Sequence, residues 1–255
     1  MIPGAVTVGF IHPGQWQACF ANSLLDLMFY DVAHDQRVVG HPFGHMGKET
    51  GAGQLHNGRN SIAKAVLDES GSEWLFIIDA DMGFAPDTVD RLIAAADPID
   101  RPVMGGLAFA QKSDGSGDHF ARRYRATPTL YSMYETDDEV GFVPLFDYPR
   151  DQVVEVSATG AACLLVHRSA LESVRAEHGD RWFSLIEVPK GKAGGFTEFG
   201  EDMSFCLRLA ACGIPLHVDT SVKTTHDKGG VFYDEDTYDL QRAMATLFTS
   251  EPEPA

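Results

Sequence analysis

The sequence predicts an α/β fold in which a parallel, doubly wound sheet is flanked by helices in a single domain. Strand-like and helix-like segments alternate over residues 5–106, an order typical of a parallel, doubly wound sheet. One segment, Trp74–Ile78, is continuously apolar and is followed at once by acidic residues, which is the pattern of a strand buried on both faces. Together, these two observations define the fold class.

The composition supports a globular protein and argues against several functional classes. Apolar residues make up 44% of the 255 residues, enough to fill a core. The 20 Lys and Arg residues against 37 Asp and Glu residues give a formal net charge of −17, which disfavours nucleic-acid backbones and anionic membranes and suits a protein that gathers cations. No stretch approaches the roughly 20 apolar residues that span a bilayer. The four cysteines lack metal-ligand spacing, and we expect a cytoplasmic protein.

The first half of the chain contains the segments expected to build the sheet. Val38 and Val39 indicate a short second strand, and the Gly- and His-rich stretch 40–53 is predicted as a loop. Pro86 begins a helix, because proline is favoured in the first helical turn. The other predicted elements here are strands at Ala5–Ile11, Trp74–Ile78 and Pro102–Gly106, and helices at Phe20–Phe29, 54–69 and Asp87–Ala96.

The second half departs from this alternation and then returns to it. Residues Ala108–Pro149 are rich in Gly, Asp, Arg and Tyr with little periodicity, and we expect loops and hairpins outside the main sheet. The later predicted elements are strands at Val153–Ser157, Ala161–His167 and Ile214–Val218, and helices at Ser169–Glu177, Glu201–Cys212 and Thr237–Phe248. We therefore expect one domain over residues 1–248 and a disordered tail over 249–255.

Asp79 and Asp81 directly follow the buried strand, at the edge of an α/β sheet where ligands bind. Two carboxylates held together there repel each other unless a cation lies between them or each has its own partner. Carboxylate oxygens favour Mg²⁺ or Mn²⁺ over Zn²⁺. This segment alone is compatible with a divalent metal site and with an ordinary strand-to-loop turn.

Four further charged or titratable residues are candidates for the site. Glu201 and Asp202 fall in the first turn of a predicted amphipathic helix, where the helix dipole alone would stabilise them. His226 follows the last predicted strand. Arg59 lies on the apolar face of the helix at 54–69, so its guanidinium must pair with an Asp or Glu or bind an anion such as phosphate.

Taken in order, these segments resemble the GT-A-fold, nucleotide-sugar-dependent glycosyltransferases of the Asp-x-Asp, family-2-like type. The resemblance covers roughly residues 5–226 and rests on GFIHPG, GRNSIAKAVLDE, LFIIDADMGF, VSATGAACLLVHRSAL, GEDMSFCLRLAACG and a late histidine. It implies a GT-A (Rossmann-like) domain, in which a mixed, mainly parallel sheet is flanked by helices, and a hexosyltransferase-type enzyme. Such an enzyme moves a sugar from a UDP- or GDP-type donor to an acceptor hydroxyl with Mn²⁺ or Mg²⁺.

The resemblance also implies roles on the donor side. Asp81 would be the main metal ligand, and Asp79 would contact the metal or the donor ribose. His226 would complete the metal site, and Arg59 would lie near the donor nucleotide. The residues in the place of the family's donor-base loop are His12, Pro13 and Gly14.

On the acceptor side, the resemblance places Glu201 and Asp202 near the reacting hydroxyl. Asp202 would be the general base of an inverting enzyme, which we favour, whereas a retaining enzyme needs no such base. Residues Arg122–Arg125 form a basic and aromatic patch that is either a solvated hairpin or a site for a sugar, a phosphorylated acceptor or nucleic acid. The sequence leaves the acceptor open among a small molecule, a glycan, a protein and a modified DNA base.

Two other functional classes are compatible with this sequence. A nucleotidyltransferase would carry a Gly-rich loop with Lys or Arg after the first strand, and HPGQWQ lacks one. A sugar- or nucleotide-binding module without turnover could keep the fold. The intact set of Asp79, Asp81, Asp202 and His226 argues against such a module.

Overall fold

The computed structural model describes residues 1–12, 14–40, 43–46, 55–113, 124–191 and 194–249. Its helices are α1 (Ala18–Ala33), α2 (Leu55–Asp68), α3 (Thr88–Ala95), α4 (Arg168–His178), α5 (Glu201–Ala211) and α6 (Glu235–Thr249). Its strands are β1 (Ile2–His12), β2 (Phe43–Met46), β3 (Ser72–Ile78), β4 (Met82–Phe84), β5 (Val103–Leu107), β6 (Phe109–Ser113), β7 (Tyr124–Pro128), β8 (Leu130–Glu135), β9 (Val140–Pro144), β10 (Val153–Glu155), β11 (Ala158–Thr159), β12 (Cys163–His167), β13 (Ile186–Pro189), β14 (Phe196–Phe199), β15 (Leu216–Asp227) and β16 (Phe232–Tyr233).

The central sheet has the strand order β10-β15-β5-β12-β3-β1-β2. Strand β1 pairs in parallel with β2 and β3, and β5 pairs in parallel with β15. Strand β12 runs antiparallel to both of its neighbours, β3 and β5, so these two strands point the same way. The sheet is therefore mixed and mainly parallel, and the predicted fold class is confirmed.

Both faces of the central sheet are covered by helices. Trp74, Phe76 and Ile78 of β3 pack in one apolar cluster with residues of α1 and α3. The alternate residues Leu75 and Ile77 pack in a second cluster with residues of α2, α4 and α5. Because successive side chains of a strand point to opposite faces, the continuous apolar run of β3 fills both layers.

Helix α2 packs closely on β1 because Gly9 has no side chain. A Cβ atom at Gly9 would lie 2.5 Å from Cγ2 of Ile62, which is fully buried. That distance is shorter than any carbon–carbon contact that close packing tolerates. The glycine thus sets the depth of α2 and, with it, the position of the charged residues that α2 carries.

Two predicted segments differ in the structure. The predicted loop 40–53 contains β2, which pairs with β1, whereas Val38 makes only an isolated bridge to Val6. Glycine and histidine are weak strand formers, so this short edge strand has little sequence signal. The last strand does not stop at Val218: β15 continues to Asp227, with a register shift after Asp219, and then pairs with β4 and β16.

The segment after β5 leaves the main sheet as expected. Strands β6 and β7 form one antiparallel pair, and β8 pairs with β9 and β11. Helix α6 lies against β7, where the Gln241 side chain accepts a hydrogen bond from the Ala126 amide at 2.8 Å. The helix ends at Thr249, and residues 250–255 of the predicted tail lie outside the described residues. No helix in the described ranges is long and apolar enough to cross a membrane.

Candidate active site

Strand β3 brings Asp79 and Asp81 to the edge of the sheet. The Asp79 amide donates to the Ala162 carbonyl at 3.1 Å, and the Met82 amide donates to the Asp79 carbonyl at 3.1 Å, so the chain turns here. After the turn, the two carboxylates have different partners. Asp79 pairs with Arg59, and Asp81 pairs with Lys228, the residue directly after β15. Separate partners are one of the two arrangements that relieve the repulsion between neighbouring carboxylates.

Arg59 is the centre of a carboxylate cluster. Its side chain is 2% exposed, and its Nη2 lies 2.9 Å from Asp79 Oδ1. Its Nη1 lies 2.8 Å from Glu201 Oε1 and 2.5 Å from Asp202 Oδ1. Burial lowers the pKa of Arg59, but the three carboxylates outweigh this effect and raise the pKa above its ordinary value. The sequence left open whether Arg59 pairs with Asp or Glu or binds an anion such as phosphate, and in the structure it pairs with carboxylates. A contact of Arg59 with the donor nucleotide stays a prediction.

Asp202 combines burial with one oxygen that Arg59 does not bind. Burial, together with the charges of Glu201 and Asp79, raises the pKa of Asp202 to about 6 against the opposing effect of Arg59. A carboxyl group with this pKa is ionised at neutral pH and still basic enough to accept a proton. A Cβ atom at Gly160 would lie 3.7 Å from Oδ2, so the glycine leaves space beside this oxygen. Asp202 therefore has the properties of a general base.

The pairing of β4 with β15 brings His226 beside the turn at the end of β3. His226 lies opposite Met82, and the Asp227 amide donates to the Asp81 carbonyl at 2.9 Å. The His226 Nδ1 atom lies 2.9 Å from the Phe109 carbonyl oxygen. A carbonyl oxygen only accepts, so Nδ1 carries a hydrogen. The other nitrogen, Nε2, then donates to Asp81 when the ring is protonated and carries a lone pair for a cation when the ring is neutral.

Asp81 and His226 fit a divalent cation. The Nε2 atom of His226 is buried and has no hydrogen-bond partner among the described residues, although Asp81 Oδ2 lies 3.3 Å away. Burial would raise the pKa of Asp81, but His226 and Lys228 lower it to about 2. An imidazole whose other nitrogen donates to a carbonyl is the usual oriented metal ligand, and a carboxylate beside it suits Mn²⁺ or Mg²⁺.

The protein supplies few ligands for such a cation. In the described ranges, no three His, Cys, Asp or Glu side chains converge in a way that would hold a metal ion. Further oxygens would therefore come from a bound ligand or from water. The roles of Asp79, Asp81 and His226 as metal ligands stay predictions.

The loop after β1 lies next to the same turn. Gly14 has a φ of +101° and its amide donates to His12 Nδ1 at 3.2 Å. The Gln17 amide donates to the Ala80 carbonyl at 3.0 Å, which ties the loop to the Asp79–Asp81 turn. Pro13 lies outside the described residues. The assignment of this loop to the donor base stays a prediction.

Sequence reasoning missed Lys228 and Tyr131. The Lys228 Nζ atom lies 2.7 Å from Asp81 Oδ2. Its sequence signal is its place two residues after His226 in THDKGG. Burial raises the pKa of Tyr131, and the negative charge of Asp202 raises it further. In the predicted basic patch, Tyr124 and Arg125 are exposed at the start of β7, and the two preceding arginines lie outside the described residues.

Comparison with known proteins yields similarity of structure only. No protein family matches the sequence, and no curated protein matches it. The fold is similar to GalNAc-T7, solved with UDP, GalNAc and Mn²⁺, with a TM-score of 0.50 and 12% identity over 89% of this chain and 44% of that chain. The protein A197 from STIV has a TM-score of 0.48 and 13% identity over 91% of both chains. A glycosyltransferase involved in the glycosylation of the major capsid of PBCV-1 has a TM-score of 0.34 and 16% identity over 66% of this chain and 62% of that one. The chain spans less than half of the length of GalNAc-T7. The similarity to that protein shows that the present chain has a GT-A-like fold.

Proposed function

We propose that the chain is a metal-dependent glycosyltransferase that moves a sugar from a nucleoside-diphosphate sugar, of the UDP or GDP type, to an acceptor hydroxyl. The observation that carries this proposal is the pair formed by His226 Nε2 and Asp81 beside the cluster around Arg59. The Asp81–His226 pair suits a cation, and the carboxylate cluster around Arg59 contains a candidate base, Asp202. The GT-A-like fold, and the UDP, GalNAc and Mn²⁺ with which the structural neighbour GalNAc-T7 was solved, support the reaction class.

In this proposal, Asp81 and His226 hold Mn²⁺ or Mg²⁺, with Asp79 contacting the metal or the donor ribose. When bound, the cation would neutralise the charge that develops on the leaving diphosphate. The hydrogen bond to the Phe109 carbonyl keeps Nε2 of His226 on the side of Asp81, where it could bind the same cation. Lys228 supplies further positive charge beside Asp81.

Asp202 is the proposed base that takes the proton of the acceptor hydroxyl in an inverting reaction. Arg59 holds its Oδ1 atom, which leaves Oδ2 to face the acceptor. Glu201 shares the same guanidinium and fixes the first turn of α5 relative to α2. The loop of His12, Pro13 and Gly14 would contact the donor base. A cytoplasmic location and an acceptor that is a small molecule, glycan, protein or modified DNA base remain part of the proposal.

A thermal-shift panel of nucleoside diphosphates and their sugars, with and without Mn²⁺, tests the proposal. The correct donor at about 100 times its dissociation constant should stabilise the protein by roughly 2.7 kcal/mol. NMR of the product formed with an acceptor then gives the anomeric configuration. No shift with any nucleoside diphosphate would contradict the proposed donor class, and stabilisation without any transfer or hydrolysis would favour a binding module.

A further inference from the structure

A large groove with aromatic walls lies on the side of the protein formed by the hairpins and the last helix. A groove of about 1060 Å³ lies between β7, the β8–β9 hairpin and α6. Its aromatic walls include Tyr124, Tyr131, Phe142 and Phe146. Ligand sites of this kind are concave, mostly apolar, and carry a few polar groups that fix orientation. The groove is therefore large enough for an organic molecule rather than for an ion alone.

Tyr131 links this groove to the proposed base. Tyr131 lines the groove, and Thr129, two residues before it, lies 3.7 Å from the position of a Cβ atom at Gly160, as does Asp202 Oδ2. Burial and the charge of Asp202 also raise the pKa of Tyr131. Tyr131 also pairs with Ala158 of β11, the strand that precedes Gly160. A molecule seated in the groove would therefore have one end close to Asp202.

The groove also contains two positive charges that the described protein does not neutralise. Lys112 and Arg125 lie directly opposite each other in the β6–β7 pair, so their side chains are on the same face. Like charges in this position destabilise a sheet. Neither residue has an ion pair with any described residue, whereas Arg242, the third cation of the groove, binds Asp147 at 2.7 Å. In a chain with 37 acidic residues, two adjacent cations that have no ion pair within the described ranges indicate a site for an anion.

We propose that the groove binds the acceptor and that the acceptor is a small ring compound carrying a phosphate-type anion. The aromatic walls pack against the ring, and the Lys112–Arg125 pair holds the anion. Two cations suffice for one phosphate, while a net charge of −17 repels a polyanion such as a nucleic acid. The role of this ligand as the acceptor rests on the proposed glycosyltransferase function. The binding of such a ligand in the groove does not depend on that function.

Calorimetry with three probes, in the absence of metal and nucleotide, tests the proposal. Benzyl phosphate carries the ring and the anion, benzyl alcohol only the ring, and inorganic phosphate only the anion. We expect benzyl phosphate to bind most tightly and its affinity to fall with ionic strength. Lys112→Gln and Arg125→Gln should each weaken it about tenfold, while Arg181→Gln, the same charge change at an exposed site outside the groove, should not.

Thermal unfolding of the same variants separates binding from structure. Removing one of two like charges should leave the melting temperature unchanged or slightly higher. A lower melting temperature in both variants would overturn the proposal, because the pair would then stabilise the hairpin. The proposal would also be overturned if inorganic phosphate or benzyl alcohol bound as tightly as benzyl phosphate does. Tighter binding of a single-stranded oligonucleotide than of benzyl phosphate would overturn it as well. Binding of Mn²⁺ and nucleoside diphosphate should be the same in all variants, so a failure of the groove is distinguishable from a failure of the proposed function.

Discussion

Arg59 allows three carboxylates to lie side by side at the site. The apolar face of α2 predicts that this arginine needs a partner, but it does not predict which one, because the partners come from β3 and α5, far away in sequence. Asp79, Glu201 and Asp202 could be identified as candidates from the sequence. Their convergence on one guanidinium could not, since it depends on how α2 and α5 pack.

We expect Arg59→Gln to destabilise the protein and to change the titration of Asp202. Removing one member of a buried ion-pair group typically costs roughly 3–5 kcal/mol. Because Arg59 lowers the pKa of Asp202, its loss should raise that pKa above about 6. Arg175 also binds two aspartates, but its side chain is 32% exposed, so Arg175→Gln should cost about 1 kcal/mol or less. Equal unfolding free energies for the two variants, measured in denaturant, would contradict this account.

Asp202→Asn should keep donor binding and lower transfer by roughly 10²–10⁴-fold, the usual contribution of a general base. The wild-type kcat/KM should rise with pH through about 6, because the raised pKa of Asp202 keeps the carboxyl protonated, and unable to accept a proton, below that pH. The residual kcat/KM of the Asp202→Asn variant should not show this rise with pH. The pH profiles of both proteins check the prediction, and a product that retains the donor's anomeric configuration would remove Asp202 from the role of base.

Strand β15 connects the sheet to the proposed metal site. Its apolar beginning is visible in the sequence, but its polar continuation to Asp227 is not, because strand propensity mainly reflects packing against neighbours. The pairing with β4 supplies those neighbours and places His226 beside Asp81. The helices were predicted to within a few residues, since amphipathic periodicity and helix-end residues are local signals.

Gly9→Ala should destabilise the contact between α2 and β1. The added methyl group would meet Ile62 Cγ2 at 2.5 Å, and this β-branched, fully buried side chain cannot turn away. Overpacking of this kind typically costs roughly 1–3 kcal/mol. Gly71→Ala is the control, because its methyl group would meet Ile2 at an ordinary 3.7 Å. A Gly9 variant as stable as the Gly71 variant in denaturant unfolding would contradict the packing argument.

The whole molecule is a mixed sheet between two helical layers, and its overall order follows from the sequence. Alternating strands and helices predict the parallel part, and the apolar run of β3 predicts its central position. The antiparallel insertion of β12 between β3 and β5 is not predictable from such local patterns, because it depends on where the chain returns after its hairpins. That return gathers the carboxyl ends of β3 and β5 beside β15, where the proposed chemistry takes place.

Calorimetry of Mn²⁺ binding, with and without UDP or GDP, tests the central claim most directly. We expect Mn²⁺ to bind weakly to the protein alone, because Asp81 and His226 provide only two ligands. It should bind more tightly in the presence of the nucleotide, because the diphosphate supplies further oxygens. Asp81→Asn and His226→Gln should both abolish the tighter binding. His217→Gln, on the same strand and away from the turn, should leave it unchanged. Unchanged Mn²⁺ binding in both the Asp81 and the His226 variants would contradict the account of a metal-dependent transferase.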